Sequence, residues 1–310
     1  MPAHKAREVK GLIFDIQRFC IHDGPGIRTT VFMKACPMRC IWCHNPESIS
    51  WQPLLSYTSA LCIGCGACAR VCPRTAHTVD DHGHVFDRNR CIVCGACVEE
   101  CPSGALHMAG YETTVAEVLQ EAIRDKPFYD NSGGGVTLSG GEPLMQIDFT
   151  EAFLMAAGEE GLHRCVDTCG HAAPARLLRI VPHTDLFLYD IKETNPELHR
   201  QWTGVDSRTV LDNLRLLHAQ GARIRLRCPI VPGYNDRENH FAELAALCRE
   251  LPDIEGIEII PYHDYGVSKL KRFGLAAEGR ASAAPPDLAT VAAWARRLRA
   301  LGARVCNEGA

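Results

Sequence analysis

Between residues 62 and 101 the chain carries eight of its 17 cysteines, in two copies of one run. "CIGCGACARVCP" (62–73) and "CIVCGACVEECP" (91–102) agree at eight of twelve positions at an offset of 29. Each reads C-x2-C-x2-C-x3-C-P. In a reducing compartment such thiols point to metal binding or catalysis rather than to disulfides. The spacing suits tight loops that wrap three thiolates round one iron–sulfur cube while the fourth cysteine reaches a second cube. On that rule Cys62, Cys65, Cys68 and Cys101 hold one [4Fe–4S] cluster, and Cys91, Cys94, Cys97 and Cys72 hold another. Structural zinc is the alternative, since zinc also takes paired cysteines.

The run is that of the bacterial two-cluster ferredoxins, and it interrupts a different pattern. On either side, short apolar segments alternate with helical lengths of sequence. Strands are expected at "RTTVFM" (28–33), "GVTLS" (135–139), "RCVDT" (164–168), "LFLYDI" (186–191), "ARIRLRCPI" (222–230) and "GIEIIPY" (256–262). Amphipathic stretches such as "TVAEVLQEAI", "DFTEAFLMAAGEEG", "VLDNLRLLHAQG" and "HFAELAALCREL" lie between them. Alternation of this kind implies an α/β fold with a parallel sheet and right-handed crossovers. Six units are too few for a closed eight-stranded barrel. The expectation is a partial (β/α)6 TIM-like barrel in two parts, 1–52 and 113–310, with a ferredoxin-like insert at 53–112; a doubly wound sheet is the alternative. Both place working residues at the carboxyl ends of strands. "SGGEP" (139–143), "DTCG" (167–170), "DIK" (190–192), "RCPIVPG" (227–233) and "PYH" (261–263) all fall there. So does "CPMRCIWCHNPES" (36–48), after the first strand.

That last segment sets Cys36, Cys40 and Cys43 in C-x3-C-x2-C spacing with no fourth cysteine close by. A cube held by three thiolates leaves one iron for a small molecule, as catalytic zinc keeps an open position. A zinc site completed by His44 or a distant residue is the other reading. The six scattered cysteines (Cys20, Cys165, Cys169, Cys228, Cys248, Cys306) read as small buried hydrophobes. A net charge of -4 argues against a nucleic-acid partner. No apolar run approaches the roughly 18 residues of a membrane span, and "MPAHKAREVK" lacks the apolar stretch of a secretory signal. A cytoplasmic protein is expected, with no membrane partner.

C-x3-C-x2-C with Trp42 before its last cysteine resembles the radical S-adenosylmethionine (SAM) superfamily. The longer "DGPGIRTTVFMKACPMRCIWCHNPES" is similar to the activating enzymes of glycyl radical enzymes, in the subgroup with a two-cluster insert. The resemblance implies an oxidoreductase that reductively cleaves SAM to a 5′-deoxyadenosyl radical and takes a Cα hydrogen from a glycine of a partner glycyl radical enzyme. It implies three [4Fe–4S] clusters, with Cys36, Cys40 and Cys43 on the catalytic one, and a flavodoxin or ferredoxin as electron donor. It also implies SAM contacts at Trp42, Gly140, Gly141, Glu142, Asp167, Thr168, Asp190, Lys192, Arg227, Val231 and His263, with Lys192 also counted as catalytic. Asp167, Thr168, Asp190 and the Leu188 carbonyl match a monovalent-cation site, and Asp23 and Arg28 match the segment that engages the partner. Read alone, "DGPGIR" is an ordinary turn, and Asp190–Lys192 an ordinary buried ion pair. "SKLKRFG" departs from the family at Leu270, where a tyrosine is usual. The arginines of "RIRLR" and "RRLR" read as a strand face and a solvated helix face. Two other functions remain: a radical SAM enzyme acting on a small molecule or another macromolecule, and an electron-transfer protein that works through the insert alone.

Overall fold

A computed structural model describes residues 6–307. Six parallel strands lie where the apolar segments predict them: β2 (Arg28–Met33), β8 (Gly135–Gly140), β9 (His163–Thr168), β10 (Leu186–Asp190), β11 (Ile224–Ile230) and β12 (Gly256–Pro261). Two strands fall outside that expectation. β1 (Lys10–Cys20) runs antiparallel to β2, and β7 (Tyr111–Thr114) antiparallel to β1. The order across the eight-stranded sheet is β12-β11-β10-β9-β8-β2-β1-β7. Each parallel strand lies beside the next in sequence, and the order never reverses. A doubly wound sheet needs a reversal, so the sheet is singly wound, consistent with a partial barrel.

Alternation along each strand separates the two faces. Val31, Met33, Val136, Leu138, Val166, Phe187, Tyr189, Leu226, Ile257 and Ile259 pack beneath the helices in one core with Phe149, Phe153, Leu177, Leu214, Leu217, Leu244 and Leu298. The opposite face carries Thr30, Thr137, Cys165, Asp167, Asp190, Arg225 and Arg227. Parallel register sets Thr30 beside Thr137 and Thr137 beside Cys165, and sets Asp190 beside Arg227 and Arg227 beside Glu258. The arginines of "RIRLR" therefore share this face while Ile224 and Leu226 enter the core. Among the described residues no helix is long and apolar enough to cross a membrane.

The cysteine-rich segment has a small core of its own. β3 (Leu54–Tyr57) pairs with β6 (Leu106–Ala109), and β4 (His77–Asp80) with β5 (Gly83–Phe86), both antiparallel. Leu55, Cys68, Cys97 and Leu106 form its centre. Tyr111, two residues past β6, already pairs with Ile13 of the main sheet. Arg88 joins the two parts, donating to the Leu55 carbonyl at 2.7 Å and the Arg272 carbonyl at 2.5 Å.

The "DGPGIR" loop is held by close backbone approach. Gly26 has φ +66°, and a Cβ on Gly134 would stand 1.8 Å from the Ile27 carbonyl oxygen. Backbone atoms cannot yield as a flexible side chain can, so Gly134→Ala is expected to lose about 1–3 kcal/mol, the range for overpacking. Chemical denaturation against the parent chain measures it.

Candidate functional site

One cavity lies over the carboxyl ends of the strands. Cys36, Cys40 and Cys43 form one wall with Trp42 and His44; Gly140, Gly141, Asp167, Asp190, Lys192 and Arg227 line it from the strand ends, and Asp23 reaches it from the "DGPGIR" loop. The cysteine loop is fastened on both sides. Arg39 and Ile41 donate backbone N–H groups to the Thr203 and Trp202 carbonyls at 2.7 and 2.9 Å, and Ala281 donates to the Ile41 carbonyl. Trp42 packs edge-on against Trp202, centroids 5.6 Å apart. Behind the loop, a Cβ on Gly266 would meet the Cys43 carbonyl at 2.3 Å. Lys269 ties the same region down, bonding Glu47 at 2.7 Å and Asn45 at 2.8 Å. Its neighbour Leu270 is buried.

The loop leaves β2 through Ala35, held at φ +74°. That left-handed turn aims its carbonyl at the "SGGEP" turn, where it accepts from the Glu142 N–H at 2.7 Å. A Cβ on Gly141 would lie 2.2 Å from the same oxygen, and one on Gly140 (φ +102°) 2.4 Å from the Met33 nitrogen. These glycines let the strand ends close on the cysteine loop, with their backbone still facing the cavity. The Glu142 side chain points inward. It is wholly buried and accepts from the Leu144 N–H at 3.0 Å, the Thr168 hydroxyl at 2.8 Å and the Cys169 N–H at 2.8 Å. Burial pushes its pKa up, and those donors pull it back.

The charges facing the thiols are paired. Lys192 donates to Asp190 at 2.7 Å. Arg227 donates to Asp167 at 3.1 Å and approaches Asp23 at 3.7 Å; Ser139 also donates to Asp167, at 2.7 Å. Burial pushes the Asp167 carboxyl up, partly offset by Arg227. Asp167 Oδ1, Arg227 Nε, Trp42 Nε1 and His44 Nε2 are buried with no partner among the described residues. Buried polar atoms left open at one cavity fit a polar ligand there. Burial pushes the Cys43 thiol up to about 11 and the Cys40 thiol higher still. As thiolates they need a neighbouring positive charge, which iron provides.

The radical SAM superfamily profile matches residues 30–245. The choline trimethylamine-lyase activating enzyme of Oleidesulfovibrio alaskensis is 40% identical over 299 residues, 94% of this chain and 96% of that one. The benzylsuccinate synthase activating enzyme of Thauera aromatica is 40% identical over 272 residues, 86% of this chain and 82% of that one. The chain belongs to the radical SAM superfamily, among the activating enzymes of glycyl radical enzymes. A domain of a pyruvate-formate lyase-activating enzyme from Bacteroides vulgatus is similar in structure, with TM-score 0.48 and 26% identity, covering 57% of this chain and 100% of that one.

Membership in this radical SAM family implies SAM and a [4Fe–4S] cluster, which the three loop thiols and the facing charges fit. Not every residue expected at SAM reaches the cavity. Thr168 alternates with Asp167, so its side chain turns from the cavity to Glu142. Glu142 is spent on its three donors, and Val231 is buried in the helix-side core. His263 reaches the cavity only through His44, on which it stacks at 4.2 Å. Arg28, expected at the partner, is wholly buried and bonds Thr137 at 2.6 Å and the Pro25 carbonyl at 3.0 Å. It braces the loop from inside. Asp23 alone of that pair lines the cavity.

Two small cavities mark the cysteine-rich segment. Cys62, Cys65, Cys68 and Cys101 surround one; Cys72, Cys91, Cys94 and Cys97 surround the other. Gly64 and Gly66 take φ +70° and +69° in the first run, and their counterparts Val93 and Gly95 take +56° and +84°. A β-branched residue in that region is strained, and such strain persists where a site demands the loop shape.

Cys169 was not expected here, and its place directly after Asp167–Thr168 in "DTCG" was the available signal. Its thiol contacts Cys36, and that contact together with burial pushes its pKa well up. Cys169→Ser should therefore leave iron per chain unchanged after anaerobic reconstitution, whereas Cys36→Ser should lower it. Equal losses would make Cys169 a ligand.

Proposed function

We propose that this activating enzyme binds SAM between the cysteine loop and the strand ends and uses it to place a radical on a glycine of its partner. Cys36, Cys40 and Cys43 would hold a [4Fe–4S] cluster open to the SAM amino and carboxylate groups, and that cluster would supply the electron for reductive cleavage of the sulfonium C–S bond to methionine and a 5′-deoxyadenosyl radical, which would take the partner's glycine Cα hydrogen and end as 5′-deoxyadenosine. The chain's own residues position and exclude. One observation carries the reading: three loop thiols face strand ends whose charges are already organised. Asp23, Asp167 and Asp190 oppose Lys192 and Arg227, leaving one net negative charge to meet a sulfonium. The Gly140–Gly141 backbone serves the SAM amino group, Trp42 covers the cluster side, and Asp190–Lys192 holds the edge nearest Cys40. Asp167 Oδ1, free of partners among the described residues, suits the ribose or a monovalent cation shared with Asp190 and the Leu188 carbonyl. Thr168 serves through Glu142, which keeps the turn in place.

Anaerobic incubation with SAM, reductant and a candidate partner enzyme should give a glycyl radical doublet by electron paramagnetic resonance, and Cys40→Ala should abolish it. Asp167→Asn removes the carboxylate that Arg227 meets. SAM affinity should fall about tenfold or more, near 1.4 kcal/mol, in equilibrium binding to reconstituted protein. An unchanged affinity would remove Asp167 from the SAM site.

We further infer that residues 53–112 form a ferredoxin-like insert between barrel parts 1–52 and 113–310. Its clusters lie on Cys62, Cys65, Cys68 and Cys101 and on Cys91, Cys94, Cys97 and Cys72, and relay electrons from a flavodoxin or ferredoxin in the cytoplasm. The grouping of each four thiols round a separate small cavity supports this. Leu55 lines the Cys91 site, and its neighbour Leu54 packs with Phe14, Phe32 and Phe273 in an apolar layer. Phe32 of that layer also lines the SAM cavity. Cys62→Ala with Cys91→Ala should slow turnover with the protein donor more than with dithionite. Equal slowing would make the insert structural.

A further inference from the structure

The hairpin β4–β5 joins the two cysteine runs and places a histidine at each thiol cavity. His84 lines the Cys62–Cys65–Cys68–Cys101 cavity, and His77 lines the Cys72–Cys91–Cys94–Cys97 cavity. His77 Nδ1 and His84 Nε2 are 3.0 Å apart, a hydrogen bond that joins the two sites. His84 also lies against two thiols of its own site, with Nδ1 3.5 Å from Cys62 Sγ and Nε2 3.7 Å from Cys68 Sγ. Rings hold the pair from outside: Tyr57 edge-on to His84 at 4.4 Å, Phe86 stacked on His77 at 4.6 Å.

We propose that His84 is a hydrogen-bond donor to the Cys62 cluster, oriented by His77, and that this bond makes the reduction potentials of the two insert clusters unequal. The proposal rests on the cluster-binding reading of the insert. Its chemistry follows from what each atom can do. A thiolate bound to iron carries no proton and only accepts. His84 faces two thiols, Cys62 Sγ from Nδ1 and the more distant Cys68 Sγ from Nε2. With the proton on Nδ1, toward the nearer sulfur, Nε2 keeps a lone pair that accepts from His77 Nδ1–H at 3.0 Å. One chain of donors thus runs from His77 to His84 to Cys62. Hydrogen bonds to cluster sulfurs stabilise the more negative, reduced cluster and raise its potential. Among the described residues His77 makes no hydrogen bond to a thiol of its own site. There Cys72 Sγ accepts from the Ala76 N–H at 3.2 Å and Cys91 Sγ from the Val93 N–H at 3.4 Å. The two runs duplicate each other, but the two sulfur environments differ.

The test is a potentiometric titration of the anaerobically reconstituted full chain, followed by electron paramagnetic resonance, with SAM added to set the catalytic cluster's signal apart. His84→Phe should lower one insert midpoint so that, at the parent's midpoint, the reduced-to-oxidised ratio falls about tenfold, equivalent to about 59 mV for one electron. His84→Asn, which keeps a donor, should recover part of the shift; His77→Phe should move the same midpoint less. Unchanged midpoints with full iron content would overturn the proposal. If His84→Phe loses iron, His77→Phe decides, because the His77 side chain makes no hydrogen bond to a thiol among the described residues. Parent protein with no iron–sulfur signal beyond the catalytic one would overturn the cluster reading of the insert itself, and the proposal with it.

Discussion

The site depends on one buried carboxylate. Glu142 draws in the Leu144 N–H, the Thr168 hydroxyl and the Cys169 N–H, while its own N–H holds the Ala35 carbonyl. Those four bonds join the end of β2, the turn after β8 and the end of β9. A carboxylate this deep is costly unless its oxygens are satisfied, so the geometry around it has little freedom. The cysteine loop begins at Ala35 and inherits that rigidity. Gly140 and Gly141 are needed because the joined backbones leave no room for a Cβ. What resembles a ligand-binding motif is first a clasp between strand ends, and it presents its backbone to the cavity because the clasp is closed.

The inner face of the sheet follows from a second constraint. Parallel strands in register place equivalent alternating positions side by side, so one polar residue per strand builds a polar row. Asp190, Arg227 and Glu258 form such a row. Eight-stranded barrels fill their interior with branched apolar side chains; here threonines, aspartates and arginines occupy much of it, beside a small apolar cluster of Cys165, Leu186 and Leu188. Buried ion pairs gain little stability over apolar packing, yet removing one partner costs about 3–5 kcal/mol. A core selected for stability alone would not keep Asp167–Arg227 and Asp190–Lys192. They fit a chamber that must orient a charged ligand beside a cluster and keep water out.

Much of this was legible in the sequence, for identifiable reasons. Six strands announced themselves as apolar runs, and the rule that functional residues gather at carboxyl ends picks out Asp167, Asp190, Lys192 and Arg227, which line one cavity. β1 and β7 were not legible, because an antiparallel edge added to a parallel sheet has no crossover helix to mark it. Direction of side chains was the harder part. Thr168 follows Asp167, and strand alternation alone turns it away from the cavity. Arg28 stands in a segment that reads as partner-facing, yet its guanidinium is fully enclosed by Thr137 and nearby carbonyls. Cys169 is a small apolar-sized residue by composition, and only the folded turn sets it against Cys36.

The cysteine-rich segment carries the lesson furthest. Its two runs agree at eight of twelve positions, and their loops share the left-handed conformation so closely that Val93 is strained into the shape of Gly64. A duplicated ligand frame tends to make two equivalent sites, and equivalent sites give an electron no preferred place. Difference between them has to come from outside the repeated runs. The connecting hairpin is the segment that has no duplicate, and it sends one histidine to each cavity. Seven residues apart on neighbouring strands, His77 and His84 belong to no sequence motif; their relation exists only once β4 and β5 pair. The duplicated cysteine frame and the unduplicated hairpin therefore meet separable requirements: the first would hold the clusters, and the second would make them differ.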